Sequence, residues 1–359
     1  MRILILTPTA LPSVTGNAIT TERWRQFLQK EGVSVKVWAT QEKNASDLLF
    51  ELQSFKPDLV HIHHASRAGG LLLDHRVAPF ALRLPLVVSP GGTDLNIDLD
   101  IADRRQIVAQ VYGMARIVIS QNPETSKQIE SLFPHLRRRI ALVPKAFSWL
   151  GHEVFDIGEI AGRQSGDVLF FLPAGIRPVK GALECLNAFE KLHAVRPSAK
   201  IVFAGPALDT EYASRFTGEI ERLRHFARWV PRIPPEAMRS VYEACDITLN
   251  FSSSEGLSNA LLEAIGVGRP VLASNIPGNW WPVLGKNGDP PVGFLFEKED
   301  PEDFIRYALR LVDNKNLREA FGRAGRERAS RWPTPEMEAD GLIRVYQSAV
   351  TLAPALLGG

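Results

Sequence analysis

The sequence predicts an α/β chain built as two doubly wound, Rossmann-like parallel-sheet domains. Three observations carry that expectation. At 359 residues the chain is too long for one ordinary core and suits two. Short apolar runs alternate with helical patterns from beginning to end, which is the mark of parallel strands joined by crossover helices. The alternation breaks once, over 148–166, in a stretch rich in Gly and acidic residues that reads as a linker, and then restarts.

In the first domain, 1–150, strands are expected at 3–6, 35–38, 59–63, 86–89, 117–120 and 141–143. Helices fall between them, for instance 19–30 with apolar positions Trp24, Phe27 and Leu28. In the second, 166–332, strands are expected at 168–172, 201–204, 247–250, 271–273 and 293–296, with helices at 182–192 and 238–244. The final third turns helical, at 303–312, 317–331 and 336–349. Two such domains facing each other would bring the carboxyl ends of both sheets around one cleft, where open parallel sheets bind ligands.

Composition narrows the function classes. Hydrophobic content of 45% and charged content of 23% are ordinary for a globular protein. A formal net charge of +2 offers no excess that would call for nucleic acid or a membrane surface. The two cysteines, Cys185 and Cys245, lie among apolar neighbours and read as buried thiols in a reducing compartment. Residues 1–6 read as a first buried strand, since Thr7-Pro8-Thr9 follows before a secretory apolar region is complete. No run approaches the length of a spanning helix, and a cytoplasmic setting is expected.

The most informative stretch is Ser254-Glu255-Gly256-Leu257-Ser258-Asn259-Ala260-Leu261-Leu262-Glu263-Ala264. A strand at 246–250 precedes it, so the order is strand, polar loop, helix. Backbone amides of Gly256, Leu257, Ser258 and Asn259 at such a helix start can hold an anion. Glu263, further along the helix, can accept from a pair of sugar hydroxyls. A phosphate cradle beside a diol-binding carboxylate suits a nucleotide-sugar. Two other patterns point to metal on first sight. His61 and His63 share a strand face, but no third ligand has suitable spacing; Asp98-Leu99-Asp100 sits in an acidic loop instead of ending a strand. No metal is expected.

With these residues in view, the chain resembles retaining glycosyltransferases of family 4, whose two-Rossmann arrangement is called GT-B. The paired glutamates Glu255 and Glu263, Gly268-Arg269-Pro270-Val271-Leu272-Ala273-Ser274, Gly293-Phe294-Leu295-Phe296 and Pro57-Asp58-Leu59-Val60-His61-Ile62-His63 carry the likeness. Several segments are similar to the subgroup of glycosyltransferase 1 domain-containing proteins. These are Thr15-Gly16-Asn17, Gly91-Gly92-Thr93-Asp94-Leu95-Asn96, Ile176-Arg177-Pro178-Val179-Lys180 and Ser274-Asn275-Ile276-Pro277-Gly278-Asn279. Some also resemble selenosugar synthases, which join a selenium nucleophile to a sugar.

The resemblance implies a nucleotide-diphosphate sugar as donor substrate, with a UDP-sugar expected, a small-molecule or glycan acceptor, and no separate cofactor. It implies a C-terminal helix, 333–359, packing back on the first domain. It also implies roles. Arg177 and Lys180, in the loop with Gly175, would stabilise the departing diphosphate, aided by the amides around Gly16 and Asn17, which are expected in the first strand-to-helix loop. Glu255 would serve the transferred sugar and Glu263 the ribose. Arg232 or Ile233, after Trp229-Val230-Pro231, would meet the base. Thr93, Asp94, Asn96 and His63 would face sugar or acceptor.

Departures are visible too. Gly91 stands where the family often carries a histidine, and Leu257-Ser258-Asn259 where it often has Phe-Gly-Leu. A nucleotide-sugar-binding protein that has lost transfer is the alternative these departures raise. A Rossmann dehydrogenase is disfavoured by the lack of a glycine-rich fingerprint after the first strand.

Overall fold

The computed structural model describes residues 1–286 and 288–352. It divides into two compact units, Met1–Ala146 together with the segment from Pro333 on, and Phe147–Trp332.

The first unit holds a six-stranded sheet of β1 (Arg2–Thr7), β2 (Ser34–Ala39), β3 (Leu59–His63), β4 (Leu86–Ser89), β5 (Ile117–Ser120) and β6 (Ile140–Leu142). Their order is β2-β1-β3-β4-β5-β6, every pair parallel. The interior strands are buried on both faces because both faces are covered. Leu4 and Leu6 pack into one core with Val60, Ile62 and Val88, while Ile3 and Ile5 pack into the other with Leu28, Leu59 and Val87. The C-terminal helix Pro335–Thr351 completes that second layer through Ala339, Leu342, Val345, Tyr346 and Ala349. Residues 353–359 of the expected C-terminal segment lie outside the described residues.

The second unit holds β7 (Val168–Pro173), β8 (Ala199–Ala204), β9 (Ala227–Val230), β10 (Ile247–Asn250), β11 (Val271–Ser274) and β12 (Gly293–Phe296). Here the order is β12-β11-β10-β7-β8-β9, again parallel throughout. Phe170 and Leu172 face the core built with the helix Ala182–Val195, and Leu169 and Phe171 face the opposite one.

Three expectations need correction. Trp229 and Val230 form the end of edge strand β9 and not a loop. The helix expected at 19–30 starts at Gly16, because the Thr15 hydroxyl accepts from the Ala18 amide and caps it, so Gly16 and Asn17 are its first residues. The supposed linker is structured in part: Ile157 is fully buried and, with Phe155 and Ala161, packs in the second unit's core. Both cysteines are buried, Cys185 within the helix Ala182–Val195 and Cys245 directly after the helix Met238–Ala244.

Candidate functional site

In the second sheet the chain runs outward from β7 to β8 and β9 on one side and from β10 to β11 and β12 on the other. The loops leaving β7 and β10 therefore emerge side by side at the carboxyl edge, the position where such sheets bind ligands. A backbone bond joins the two loops, Ser253 N–H donating to Val179 O at 2.9 Å. Gly181 makes the approach feasible. Its φ is +63°, and a Cβ there would lie 2.3 Å from the Phe251 carbonyl oxygen, so only glycine fits.

At this junction Lys180 Nζ donates to Glu255 Oε1 at 2.5 Å, with side chains 19% and 12% exposed. Ser252 Oγ and Asn250 Nδ2 donate to the same oxygen at 2.7 and 3.0 Å. Asn250 is fixed in turn, accepting from Asn279 Nδ2 at 3.2 Å. Burial opposes ionisation of Glu255, but the Lys180 ammonium and these hydrogen bonds outweigh it and hold the carboxyl below its ordinary value. A half-buried cation and a half-buried carboxylate thus face each other where the β7 and β10 loops meet, each able to exchange its partner for a ligand.

The remaining residues expected in this unit are placed as follows. Gly175 and Arg177 lie on the β7 loop, Arg177 half-buried with extended backbone just before the turn Pro178–Lys180. Gly256 lies in the β10 loop. Leu257 is a core residue, packed with Leu262 and Trp332. Ser258 stands at the cap position of the helix Asn259–Gly266, but its hydroxyl takes a bond from Asn250 Nδ2 at 3.3 Å instead of capping. Glu263 is half-buried one turn in, beside Tyr242, whose hydroxyl is pushed well above its ordinary value by burial and then by that carboxylate. Arg232 is exposed. Ile233 is only 3% exposed and packs in the core with Val202 and Val241, so the expectation that it lies over a base is corrected. Sequence reasoning missed Asn250, Ser252, Asn279 and Lys298, whose Nζ donates to Ser253 Oγ at 2.5 Å. A polar residue ending an otherwise apolar strand, as Asn250 does, was the available signal.

In the first unit the order reverses between β1 and β3, so the loops after β1, β3 and β4 form the equivalent edge. Gly16 opens its helix there. Thr93 is half-buried, and Asn96 Oδ1 accepts from Gln128 Nε2 at 2.7 Å. Asp94 is fully buried, and three backbone amides consume its carboxylate: Gly91 and Gly92 on Oδ1, both at 3.0 Å, and Ala65 on Oδ2 at 2.9 Å. It shapes the loop and does not face substrate, a correction to the expected role. His64, the residue after β3, has φ +85°, a backbone conformation that costs a non-glycine residue about 1–3 kcal/mol.

His63 is likewise interior, 2% exposed, bonded to Ser89 Oγ at 2.9 Å and edge-on to Trp24. Ser89 also meets His61 Nε2 at 2.8 Å, and Tyr346 Oη meets His61 Nδ1 at 2.8 Å. Burial pushes His61 down to about 3, and burial with neighbouring positive charge holds His63 well below its ordinary value. Both stay neutral in the fold but take up protons in the unfolded chain near pH 6.5. Stability is therefore intact above that pH and falls below it, by about 1.4 kcal/mol per unit for each ring. Denaturant titrations at pH 7.5 and pH 5 should differ by roughly 4 kcal/mol, with His63→Gln showing about half that slope; equal midpoints at both pH values would refute it.

Among the described residues no three His, Cys, Asp or Glu side chains are grouped to hold a metal ion, and no helix is long and apolar enough to cross a membrane.

Residues 156–328 match the family described as "Glycosyl transferases group 1". The D-inositol 3-phosphate glycosyltransferase of Thermobifida fusca is 30% identical over 318 residues, covering 82% of this chain and 70% of that one. The chain belongs to the group 1 glycosyl transferases. The Glycosyltransferase 1 domain-containing protein 1 of Xenopus tropicalis is 28% identical over 326 residues, 89% of each chain. The structure of Anabaena HepE in complex with UDP and glucose matches with a TM-score of 0.76 at 16% identity, covering 97% of this chain and 100% of that one. This glycosyltransferase therefore has the GT-B fold, and the Lys180–Glu255 junction lies inside the segment the family match covers.

Proposed function

We propose that the protein transfers a sugar from a UDP-sugar to a hydroxyl-bearing acceptor, with retention at the anomeric carbon and without a bound metal, as glycosyltransferases of family 4 do. The observation that carries this reading is the Lys180–Glu255 pair at the strand-order reversal, with Glu255 held ionised. The bond between the anomeric carbon and the phosphate oxygen breaks, its electron pair leaving with the diphosphate. Lys180 and Arg177 neutralise that charge, and the amides at the start of Asn259–Gly266 and at Gly16 add their dipoles. Glu255 accepts from hydroxyls of the transferred sugar and Glu263 from the ribose. Arg232 serves the base, and Thr93 and Asn96 the sugar or acceptor. The acceptor oxygen bonds to the anomeric carbon, and its proton leaves with the departing diphosphate. HepE structures hold UDP or UDP-glucose, which supports uridine as the base.

Thermal melting against UDP, ADP, GDP, NAD and a panel of UDP-sugars tests the reading. A ligand at a hundred times its Kd adds about 2.7 kcal/mol, or roughly 5–10 °C for a unit of this size. UDP and at least one UDP-sugar should give such a shift, unchanged by EDTA. A shift with NAD alone, or one that EDTA abolishes, would overturn the proposal. Slow UDP release from the stabilising sugar nucleotide separates a transferase from a protein that only binds it.

A further inference from the structure

We propose that His64 is a positioning residue of the first unit's substrate loop, acting through Thr93, whose hydroxyl it commits to donating to a sugar oxygen. This rests on the proposed sugar transfer. The His64 Nε2 atom lies 2.8 Å from Thr93 Oγ1, and its Nδ1 accepts from the Arg67 amide at 3.4 Å as it caps the short helix Ala65–Gly69. An amide can only donate, so Nδ1 carries the lone pair and the ring proton sits on Nε2. That proton is donated to Thr93, which leaves the threonine's own proton for a ligand oxygen. Ser66, beside Nδ1, gives its proton to the buried Asp98, whose other oxygen is paired with Arg104 at 3.0 Å.

The ring is fixed from the other side by position 91. A Cβ on Gly91 would lie 2.5 Å from His64 Cδ2 and 3.0 Å from its Cβ and Cγ. Glycine there makes room for a histidine delivered from the neighbouring strand, and the unusual φ of +85° is what aims it across. The absence of a histidine at position 91 thus coincides with the presence of one against it. Asp94 accepts from the amides of Gly91, Gly92 and Ala65, which ties the loop that carries Thr93 to the residue after His64.

The two amide replacements separate this role from a structural one. His64→Asn keeps an acceptor at the δ position and loses the Nε2 donor; His64→Gln keeps a donor at the ε position. With UDP-glucose as probe, His64→Asn should lose roughly tenfold and His64→Gln should recover most of it, with UDP affinity equal in all. A loss in UDP-glucose affinity relative to UDP assigns the oxygen to the donor sugar. A loss only in the rate of UDP release at saturation assigns it to the acceptor side. Equal behaviour of Asn, Gln and wild type in both readouts, or equal failure of both variants together with lost thermal stability, overturns the proposal. Gly91→Ala should lower the melting temperature in the wild-type background and do so much less beside His64→Ala. Additive effects there would remove His64 from this position while leaving the donor reading intact, whereas wild-type protein that ignores UDP would sink the donor reading itself.

Discussion

Replacing Lys180 with alanine should remove half or more of the stabilisation by UDP while leaving the protein folded. The ammonium is a half-buried cation at the junction of the β7 and β10 loops, and a charge-assisted bond to phosphate is worth about 1.5–3 kcal/mol, or roughly ten- to a hundredfold in UDP affinity. Turnover should fall further, because charge on the diphosphate grows as the glycosidic bond breaks. The same substitution strands Glu255, which keeps only Ser252 and Asn250 among the donors described above. Removing one partner of a buried pair costs about 3–5 kcal/mol; partial exposure and the two remaining donors lower this toward 2. Adding Glu255→Gln removes the stranded charge, so the double variant should melt above Lys180→Ala yet respond to UDP no better than it does. Isothermal titration beside thermal melting reads both effects. Full UDP affinity in Lys180→Ala would end the assignment of the phosphate to this loop.

The interior strands were legible because each is buried at every residue: β3, β4, β5 and β10 are short, largely apolar runs closed by a polar residue, His63, Ser89, Ser120 and Asn250. β12 is an edge strand, and its uninterrupted Phe294-Leu295-Phe296 made it visible. β9 was hidden because it is an edge strand whose Arg228 interrupts the run, and the loop after it was read one element early, with Ile233 cast as a contact residue instead of core. The start of the first helix was hidden because its opening residues, Gly16 and Asn17, are not apolar and the cap lies in a hydroxyl bond. In the candidate site the charged pair was readable, because a strand, a polar loop and a helix are local features. Asp94 was misjudged because an aspartate facing substrate and one accepting three amides look alike in sequence. His61 and His63 were correctly given one strand face, but no strand pattern predicts the backbone turn at His64.

The least legible interaction is also the one with the largest expected effect on stability. Arg23 and Glu338 are separated by 315 positions, and each is 2% exposed. Arg23 Nε and Nη2 donate to the two carboxylate oxygens at 2.8 and 3.1 Å, and Trp24 Nε1 adds a third bond at 2.8 Å. This clip fastens the C-terminal helix Pro335–Thr351 to the helix Gly16–Lys30, whose first amides are proposed to serve the donor. Glu338→Ala would leave a buried guanidinium and an indole N–H without partners, which costs about 3–5 kcal/mol. For a unit of this size that is a fall of roughly 10 °C in its melting transition. Arg23→Met with Glu338→Leu should recover most of the loss, since apolar side chains of similar volume carry no desolvation penalty. The single variant should retain most of its UDP response, because Lys180 and Arg177 belong to the other unit, and should lose turnover as the Gly16 helix loosens. A transition within 2 °C of wild type, checked by calorimetry at neutral pH, would mean that the helix is held by its apolar contacts alone.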